Sequence, residues 1–528
     1  MVARSTPLFT GIWRALEHGA PEGHRRQVLH RPLMGWWATS VLGALLATRQ
    51  FEKAQRVLDL AGPVWSGRAD PAWRTRELQI RCQRGQFSEA EALVDGWGGW
   101  STLTQHASPA AAGLLATRQR WSDLIAFLAD RLDRDMDIDD ALLLEAVAQA
   151  TRRTGRHDEV IDLLSRAPSS RTITQARDAL NVEASVLNLV GLRPNPPEIP
   201  VSDPFLAERL NRYTRALQGE VARTLESVQI PTLPVNGTVV WCSDLAYLLG
   251  TCVSVSSLLR HDPELRPSGG YRVVVDRPGL ELAREALGQL SRASGVTIDV
   301  IDAKDLLPDT HRLRSAYGLF TPGHTLSEAA YYRVFAARAM AGESHDGRII
   351  YLDSDTCIGP GLGGAFFVNL DGHPLAARSE HQQRGSRSRD FASVDRAARS
   401  LGLNPNAYFN SGVLAFDRSH PNLIPGLDRT IAVALHEPER LTFHDQCALN
   451  LGFAGDVALL PETFNQFLRP DQKGDTPSPV VLHYIQRPKP WDTRYPWRHG
   501  RRWLEEFDVL SAMIESDTLA RLVAPSVT

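Results

Sequence analysis

This sequence has few of the features that assign a protein quickly. Its five cysteines, Cys82, Cys242, Cys252, Cys357 and Cys447, are scattered through 528 residues with no CxxC pair. That excludes a disulfide framework and a cysteine zinc cage, and it predicts reduced, buried thiols in a cytoplasmic protein. Neither sign of charge dominates, since the formal net charge is −3. Overall charge therefore gives no case for nucleic acid or an anionic membrane as partner. The opening stretch, MVARSTPLFTGIWRALEHGA, lacks a continuous apolar core and is interrupted by Arg14, Glu17 and His18, so no signal peptide is expected there. One stretch, Thr238 to Leu259, invites a transmembrane reading. It carries Asp244, Gly250 and three serines in its second half, and a buried strand followed by a helix accounts for it better. Lysine is scarce beside arginine, a skew to which no function attaches.

At about 150 residues per domain, the length predicts two to four domains. Residues 1–190 show apolar positions at three and four spacings, as in Phe51, Ala54, Val57 and Leu58, and read as helices. Four segments, TRQFEKAQRVLDLA, RGQFSEAEALVDGW, RQRWSDLIAFLADR and TGRHDEVIDLLSRA, share a polar turn, a ring residue and an amphipathic run. Their ring residues, Phe51, Phe87, Trp121 and His157, lie 36, 34 and 36 residues apart. That period resembles tetratricopeptide repeats, whose helix pairs stack because one alone cannot bury its apolar face. The Trp-Leu-Gly-Tyr consensus is absent, and a generic helical domain is the alternative. Residues 191–235 read as a linker: Gly191 to Phe205 is proline-dense and incompatible with helix, and a short helix follows from about Leu206 to Gln229.

From residue 236 to 528 the pattern changes. Short β-branched runs (TVVW from Thr238, YRVVVD from Tyr271, VTIDVID from Val296, RIIYLD from Arg348) alternate with helical stretches at Tyr247–Arg260, Gly279–Ser291 and Ser327–Met340. This predicts an α/β domain with a mostly parallel sheet, whose ligands sit at the carboxyl ends of the strands. Asp244 follows the first strand, Asp353 and Asp355 the fourth, and His483 lies on a later one, VVLHY. Two carboxylates two apart can share a hard divalent cation and so hold a diphosphate. Taken alone, Asp-x-Asp is common in surface loops. An EF-hand starting at Asp353 fails, because Cys357, Ile358 and Gly364 stand where a ligand, Gly and Glu are needed. Gly359, Gly361 and Gly364 spell GxGxxG, but Pro360 interrupts it and the first strand of the unit is elsewhere, which argues against a dinucleotide loop.

In context the half from Thr238 to Trp491 resembles glycosyltransferase family 8, the retaining, metal-dependent family of glycogenin and of bacterial lipopolysaccharide galactosyl- and glucosyltransferases. The blocks that carry the resemblance are CSDLAYLLGTCVSVSSLL, AAYYRVF, RIIYLDSDTCI, YFNSGVLAFD, HDQCALN and LHYIQRPKPW, in the family's order. The resemblance implies a GT-A-type, Rossmann-like transferase domain. It implies that Asp353, Asp355 and His483 hold Mn²⁺ (or Mg²⁺). Asp244 and Tyr247 would hold the uracil and ribose of a UDP-hexose, and Arg333 and Lys489 its sugar and diphosphate. Asn410, Asp445 and Gln446 would line the reacting sugar. A glycosidase would place a carboxylate nucleophile opposite the leaving group. Gln446, an amide, matches that position, which favours same-face substitution assisted by the leaving phosphate.

The chain departs from the family at three places. Leu245-Ala246 replaces a polar pair, Cys447 replaces an aspartate after Asp445-Gln446, and Gln486 replaces a glycine. These leave the identity of the sugar open. The implied partners are a UDP-sugar and a glycan, lipid-linked or protein acceptor, in a cytoplasmic enzyme of surface-glycan synthesis. The helical domain is a candidate protein-binding surface. The tail WDTRYPWRHGRRW mixes Trp491, Tyr495, Trp497 and Trp503 with arginines. Two readings stand for it, a peripheral contact with the inner face of the membrane or a C-terminal helix packing its aromatics on the domain. The Arg-rich loop from His381 either lines the acceptor side or is solvated.

Overall fold

The computed structural model describes residues 39, 41–43, 45, 53–59, 71–83, 86–103, 108–134, 138, 141–168, 170–189, 204–218, 233–306, 328–343, 347–380, 389–437, 440–468, 479–485, 489–491 and 500–527. The chain forms two compact units, and the main division falls between Ile173 and Thr174.

In the first unit the helices are α1 Pro71–Gln83, α2 Phe87–Gly96, α3 Ser108–Thr117, α4 Trp121–Asp133, α5 Ala141–Thr154 and α6 His157–Arg166. Phe87, Trp121 and His157, the ring positions of the sequence pattern, are the first residues of α2, α4 and α6. Phe51 lies outside the described residues. Helix α4 buries Leu124, Ile125, Phe127 and Leu128, and α6 buries Val160, Ile161, Leu163 and Leu164, the one-sided spacing that drives such helices to pair.

The second unit opens with α7 Arg171–Leu189, of which residues from Thr174 belong to it, and α8 Pro204–Leu217. The expected linker, Gly191 to Phe205, lies outside the described residues except at its end. There Pro204 and Phe205 begin α8, so helix incompatibility does not extend to them; proline suits a first helical turn, where its missing N–H has no partner to lose. Helix α8 ends at Leu217, before the expected Gln229, and residues 219–232 lie outside the described residues.

The strands of the seven-stranded sheet and of the three-stranded sheet beside it are β1 Gly237–Ser243, β2 Tyr271–Val275, β3 Ile298–Asp302, β4 Arg348–Leu352, β5 Thr356–Ile358, β6 Leu375–Ser379, β7 Phe409–Asp417, β8 Ala458–Leu459, β9 Gln466–Phe467 and β10 Val481–His483. Between them run α9 Leu248–His261, α10 Leu280–Ser294, α11 Ala329–Ala341, α12 Arg389–Ser400, α13 Leu423–His436 and α14 His444–Gly452, and α15 Gly500–Met513 and α16 Ser516–Val527 follow. Seven strands form one sheet in the order β8-β6-β7-β4-β1-β2-β3. It is parallel from β4 to β3, as the alternating pattern predicted, while β7 runs antiparallel to β4 and β6. Both faces are covered. Along β1, Val239 and Trp241 enter one core with Val273, Ile350 and Leu352, while Val240 and Cys242 enter the other with Val274, Ile349 and Tyr351. A strand buried on both faces needs the continuous apolar run that β1 carries.

Two features of this fold place the site. First, β1 and β4 are adjacent and parallel, so the loops holding Asp244 and Asp353–Asp355 leave the sheet side by side. Second, β10 pairs antiparallel with β5, opposing His483 to Thr356, just past the aspartates. The hydroxyls of α9 fasten that loop from beneath. Ser254 Oγ accepts from Trp241 Nε1 at 3.0 Å and meets Thr356 Oγ1 at 2.8 Å, and Thr251 donates to Ser354 Oγ at 2.8 Å. Ser257 Oγ accepts from Ile358 N at 2.9 Å. Two of the three serines that argued against a membrane span, Ser254 and Ser257, thus have partners on strands, and Ser256 donates to the Val253 carbonyl within α9. No helix among the described residues is long and apolar enough to cross a membrane.

The glycine-rich run is a structural turn. Asp262 accepts from Gly361 N at 2.7 Å and Leu362 N at 2.5 Å, so a carboxylate of the protein occupies the amides a phosphate would need. Helices α15 and α16 pack Trp503, Phe507, Leu510, Leu519 and Leu522 into the α9 side of the core. Trp491 and Trp503 are 3% and 1% exposed, so these two tail aromatics have no face to offer a membrane. Tyr495 and Trp497 lie outside the described residues, as does the loop 381–388.

Candidate active site

Asp353, Asp355 and His483 come together, with one ligand atom from each inside a 4.8 Å span. His483 Nε2 lies 3.2 Å from Asp355 Oδ1 and 3.6 Å from Asp353 Oδ2. A chain of amides fixes which nitrogen of His483 carries its hydrogen. The backbone N–H of Gly412 donates to Asn410 Oδ1 at 2.9 Å, so that atom is the oxygen. Asn465 Nδ2 donates to the same oxygen at 3.0 Å, which leaves Asn465 Oδ1 to accept from His483 Nδ1 at 2.9 Å. The lone pair of Nε2 then faces the two carboxylates. Asp355 Oδ1 is buried with no hydrogen-bond donor. Convergent lone pairs, one orphaned oxygen and an amide of Asn465 holding the imidazole from behind are the donor set a Mn²⁺-class cation fits. Gly412 completes the pocket: a Cβ there would stand 2.0 Å from His483 Cε1.

Cationic groups flank the cluster. Lys489 Nζ donates to Asp355 Oδ2, and to the Tyr484 carbonyl at 2.7 Å. Burial opposes ionisation of Asp355, but the Lys489 ammonium outweighs it and holds the carboxyl well below its usual range. Arg333, on α11, is 8% exposed and bridges both acidic groups of the site. Its Nη2 lies 2.9 Å from Asp353 Oδ1, its Nε 3.2 Å from Asp445 Oδ2, and its Nη1 donates to the Ser411 carbonyl at 2.7 Å. Its guanidinium stacks over the Tyr351 ring at 4.8 Å, and the Tyr351 hydroxyl donates to Asp353 at 2.5 Å. Burial disfavours the charge of Arg333, yet the two carboxylates raise its pKa further above the usual value. Asp445 differs: burial pushes it up to about 6 against the pull of Arg333.

Asn410 and Gln446 meet at 3.2 Å on the far side of this group. Both donate to one oxygen of Glu380, Asn410 at 3.0 Å and Gln446 at 3.3 Å. The Gln446 amide oxygen accepts from Ser411 N at 3.3 Å. Asp244 and Tyr247 stand apart at the end of β1. Asp244 caps the turn by accepting from Tyr247 N at 2.9 Å, and Tyr247 meets the edge of Trp491 at 5.2 Å. Gly250 lies under Trp491, where a Cβ would come 2.4 Å from the ring and 2.8 Å from the Ser354 carbonyl. Gly250→Ala is expected to cost about 1–3 kcal/mol, measured by urea denaturation. An unchanged midpoint would mean that Trp491 is free to move.

Of the residues named from the sequence, the structure brings Asp353, Asp355, His483, Lys489, Arg333 and Asp445 into one set of contacts. The sequence reading missed Glu380, Asn465, Tyr351 and Asp276, which burial and then Asp244 push up to about 6. Glu380 and Asp276 each follow a strand of the sheet directly, a signal available in the sequence. Asn465 carries no such signal.

Residues 238–494 match the family model described as glycosyl transferase family 8. The chain is 22% identical over 264 residues to the glycosyltransferase GlyF of Streptococcus pneumoniae serotype 4, a stretch covering 48% of this chain and 57% of GlyF. It therefore spans little more than half the length of that relative. Among solved structures, an active-site mutant of LgtC is 18% identical with a TM-score of 0.39, covering 51% of this chain and 95% of LgtC. Apo-form GlyE of Streptococcus pneumoniae TIGR4 is 19% identical with a TM-score of 0.36, covering 54% and 62%.

Proposed function

Residues 238–494 belong to glycosyl transferase family 8, and from that premise we propose that the chain transfers a hexose, with retention, from a UDP-sugar to an acceptor hydroxyl in a Mn²⁺-dependent reaction. The observation that carries this reading is the convergence of the Nε2 lone pair of His483 with the Asp353 and Asp355 carboxylates. These three residues would hold the metal, which when bound neutralises the charge that a departing diphosphate acquires.

The chain's own residues supply the rest. Lys489 offers a compact ammonium to a phosphate oxygen, and Arg333 a planar fork to oxygens of phosphate or sugar. Asp445 accepts from sugar hydroxyls, and Asn410, whose amide is held by Glu380, Gln446, Gly412 and Asn465, fixes the groups that line the same space. Gln446 is a poor nucleophile, and its amide oxygen already accepts two hydrogen bonds. The sugar–UDP bond therefore breaks and the acceptor–sugar bond forms on the same face, with the acceptor proton passing to the departing phosphate oxygen. Asp244 and Tyr247, at the mouth of β1, hold the nucleoside. The acceptor is a glycan. The first unit, in which α2, α4 and α6 begin at the sequence period, is a solenoid-type scaffold.

The test is UDP release from UDP-glucose, UDP-galactose and UDP-N-acetylglucosamine, with and without Mn²⁺. Slow metal-dependent release from one donor is expected, with no sugar trapped on Gln446 or Asp445 by mass spectrometry. A trapped sugar would replace the same-face step by double displacement. Absence of both release and metal-dependent UDP binding would end the enzyme reading.

A further inference from the structure

Helix α8, Pro204–Leu217, precedes the matched segment 238–494, yet one face of it ends on the donor-side machinery. Arg209 is fully buried and donates from Nη2 to the carbonyl of Pro490. One turn on, Tyr213 packs on Phe507 with ring centroids 4.6 Å apart. Phe507 stacks on Trp503 at 5.7 Å, and Trp503 meets Trp491 at 6.1 Å. Residues 209 and 213 are four apart and so project from one helix face. Arg212 reaches sideways to Asp508 of α15 at 2.5 Å.

The segment Lys489–Trp491 is held on three sides. The Lys489 ammonium goes to Asp355 and to the Tyr484 carbonyl. The Trp491 ring fills the space above Gly250, beside Tyr247. Between them stands Pro490, which has no N–H, so its carbonyl is the backbone group by which this residue can be tied. Arg209 ties it. A buried guanidinium is costly unless its hydrogens are used, and this one fixes the backbone flanked by the site lysine and the site tryptophan.

We propose that Arg209 is a positioning residue of the donor site, and that α8 is a working part of that site: it sets the Lys489 backbone so that the ammonium reaches Asp355 and the donor diphosphate. The diphosphate half of this statement rests on the function proposed above. The family-matched segment alone is then an incomplete enzyme.

The experiment compares full-length Arg209→Gln, Arg209→Lys and Arg212→Ala. Arg212→Ala cuts a second polar tie of α8, the one to Asp508 of α15, and leaves the Pro490 carbonyl alone. Arg209→Gln is expected to raise the donor KM about tenfold, with kcat altered less than about threefold. Arg209→Lys, which keeps one donor, should raise it about threefold and carries the test if the Gln variant fails to fold. Arg212→Ala should leave it within about twofold. Hydrogen–deuterium exchange over residues 479–491 in the metal-free protein should quicken in Arg209→Gln and not in Arg212→Ala. A donor KM unmoved in both Arg209 variants, or raised equally by Arg212→Ala, overturns the proposal. If the wild type turns over no UDP-sugar, the functional reading has failed, and the exchange comparison still decides whether Arg209 orders Lys489–Trp491.

Discussion

Asp353→Ala and Asp355→Ala, made singly, are each expected to lower metal-dependent UDP release by at least about 10³-fold, the loss of roughly 4 kcal/mol of charge stabilisation. Their side effects should differ, because their neighbours differ. Asp355 has Lys489 against one oxygen and His483 against the other, so its removal strands a nearly buried ammonium. Asp353 shares Arg333 with Asp445, so its removal leaves that arginine a second carboxylate. Asp355→Ala should therefore destabilise the metal-free protein more than Asp353→Ala, read as the gap between urea midpoints. The reverse order would mean that the Lys489 contact contributes little. Mn²⁺ titration of UDP binding separates the two losses: a variant that folds but has lost only the metal should still bind UDP weakly, and without metal dependence.

What the sequence made legible follows from physics that acts locally. The inner strands of the parallel region, β1, β2 and β4, are buried along nearly their whole length, so each must be a short β-branched run, and TVVW, YRVVV and RIIYL are visible as such. Asp244, Asp353 and Asp355 follow such runs, so their placement at one sheet edge could be read without knowing any contact. His483 was legible as a strand residue of VVLHY, but its partnership with the aspartates came only through the resemblance, because what brings it to them is the antiparallel pairing of β10 with β5, two three-residue strands far apart in the chain. Neither has a periodic signal. Asn465 was not legible at all. It lies outside every repeating element, and its work is to orient another side chain, a role set by three hydrogen bonds that link distant segments. Arg209 was hidden for a different reason. It sits in a helix whose pattern is amphipathic in the ordinary way, and the proline-rich stretch before it made α8 look like part of a tether. Only packing shows that the buried face of α8 carries an arginine toward Pro490. The basic and aromatic tail divides similarly. Composition sees Trp491 and Trp503 beside arginines, and only the core shows that both rings are interior.

Arg333→Met should produce the largest loss of stability at the site, together with loss of activity. The side chain is nearly buried and joins the buried Asp445 to the partly buried Asp353, so deleting its charge leaves the two carboxylates facing each other without compensation. Breaking a buried pair in this way costs about 3–5 kcal/mol. The pH dependence has a definite sign. Asp445 is raised from 3.8 to about 6 by burial, with Arg333 pulling it down. A carboxyl whose folded pKa is raised stabilises the fold below its unfolded pKa, and that contribution is lost as pH rises through the folded value. In wild type the loss runs from about 4 through about 6. Without Arg333 the folded pKa moves higher, and the loss extends to more alkaline pH. The deficit of Arg333→Met relative to wild type should therefore be small at about pH 5 and largest near about pH 8, measured by urea denaturation at both. A deficit of equal size at both would show that the cavity, and not the stranded charges, destabilises the variant. Adding Asp445→Asn should restore part of the stability at the higher pH, because one of the two stranded charges is gone. It should restore none of the activity. Double-mutant coupling of this kind is expected between groups in direct contact. Arg333→Lys should fall between the two in stability, because a single ammonium cannot span the carboxylates that the guanidinium reaches with Nη2 and Nε.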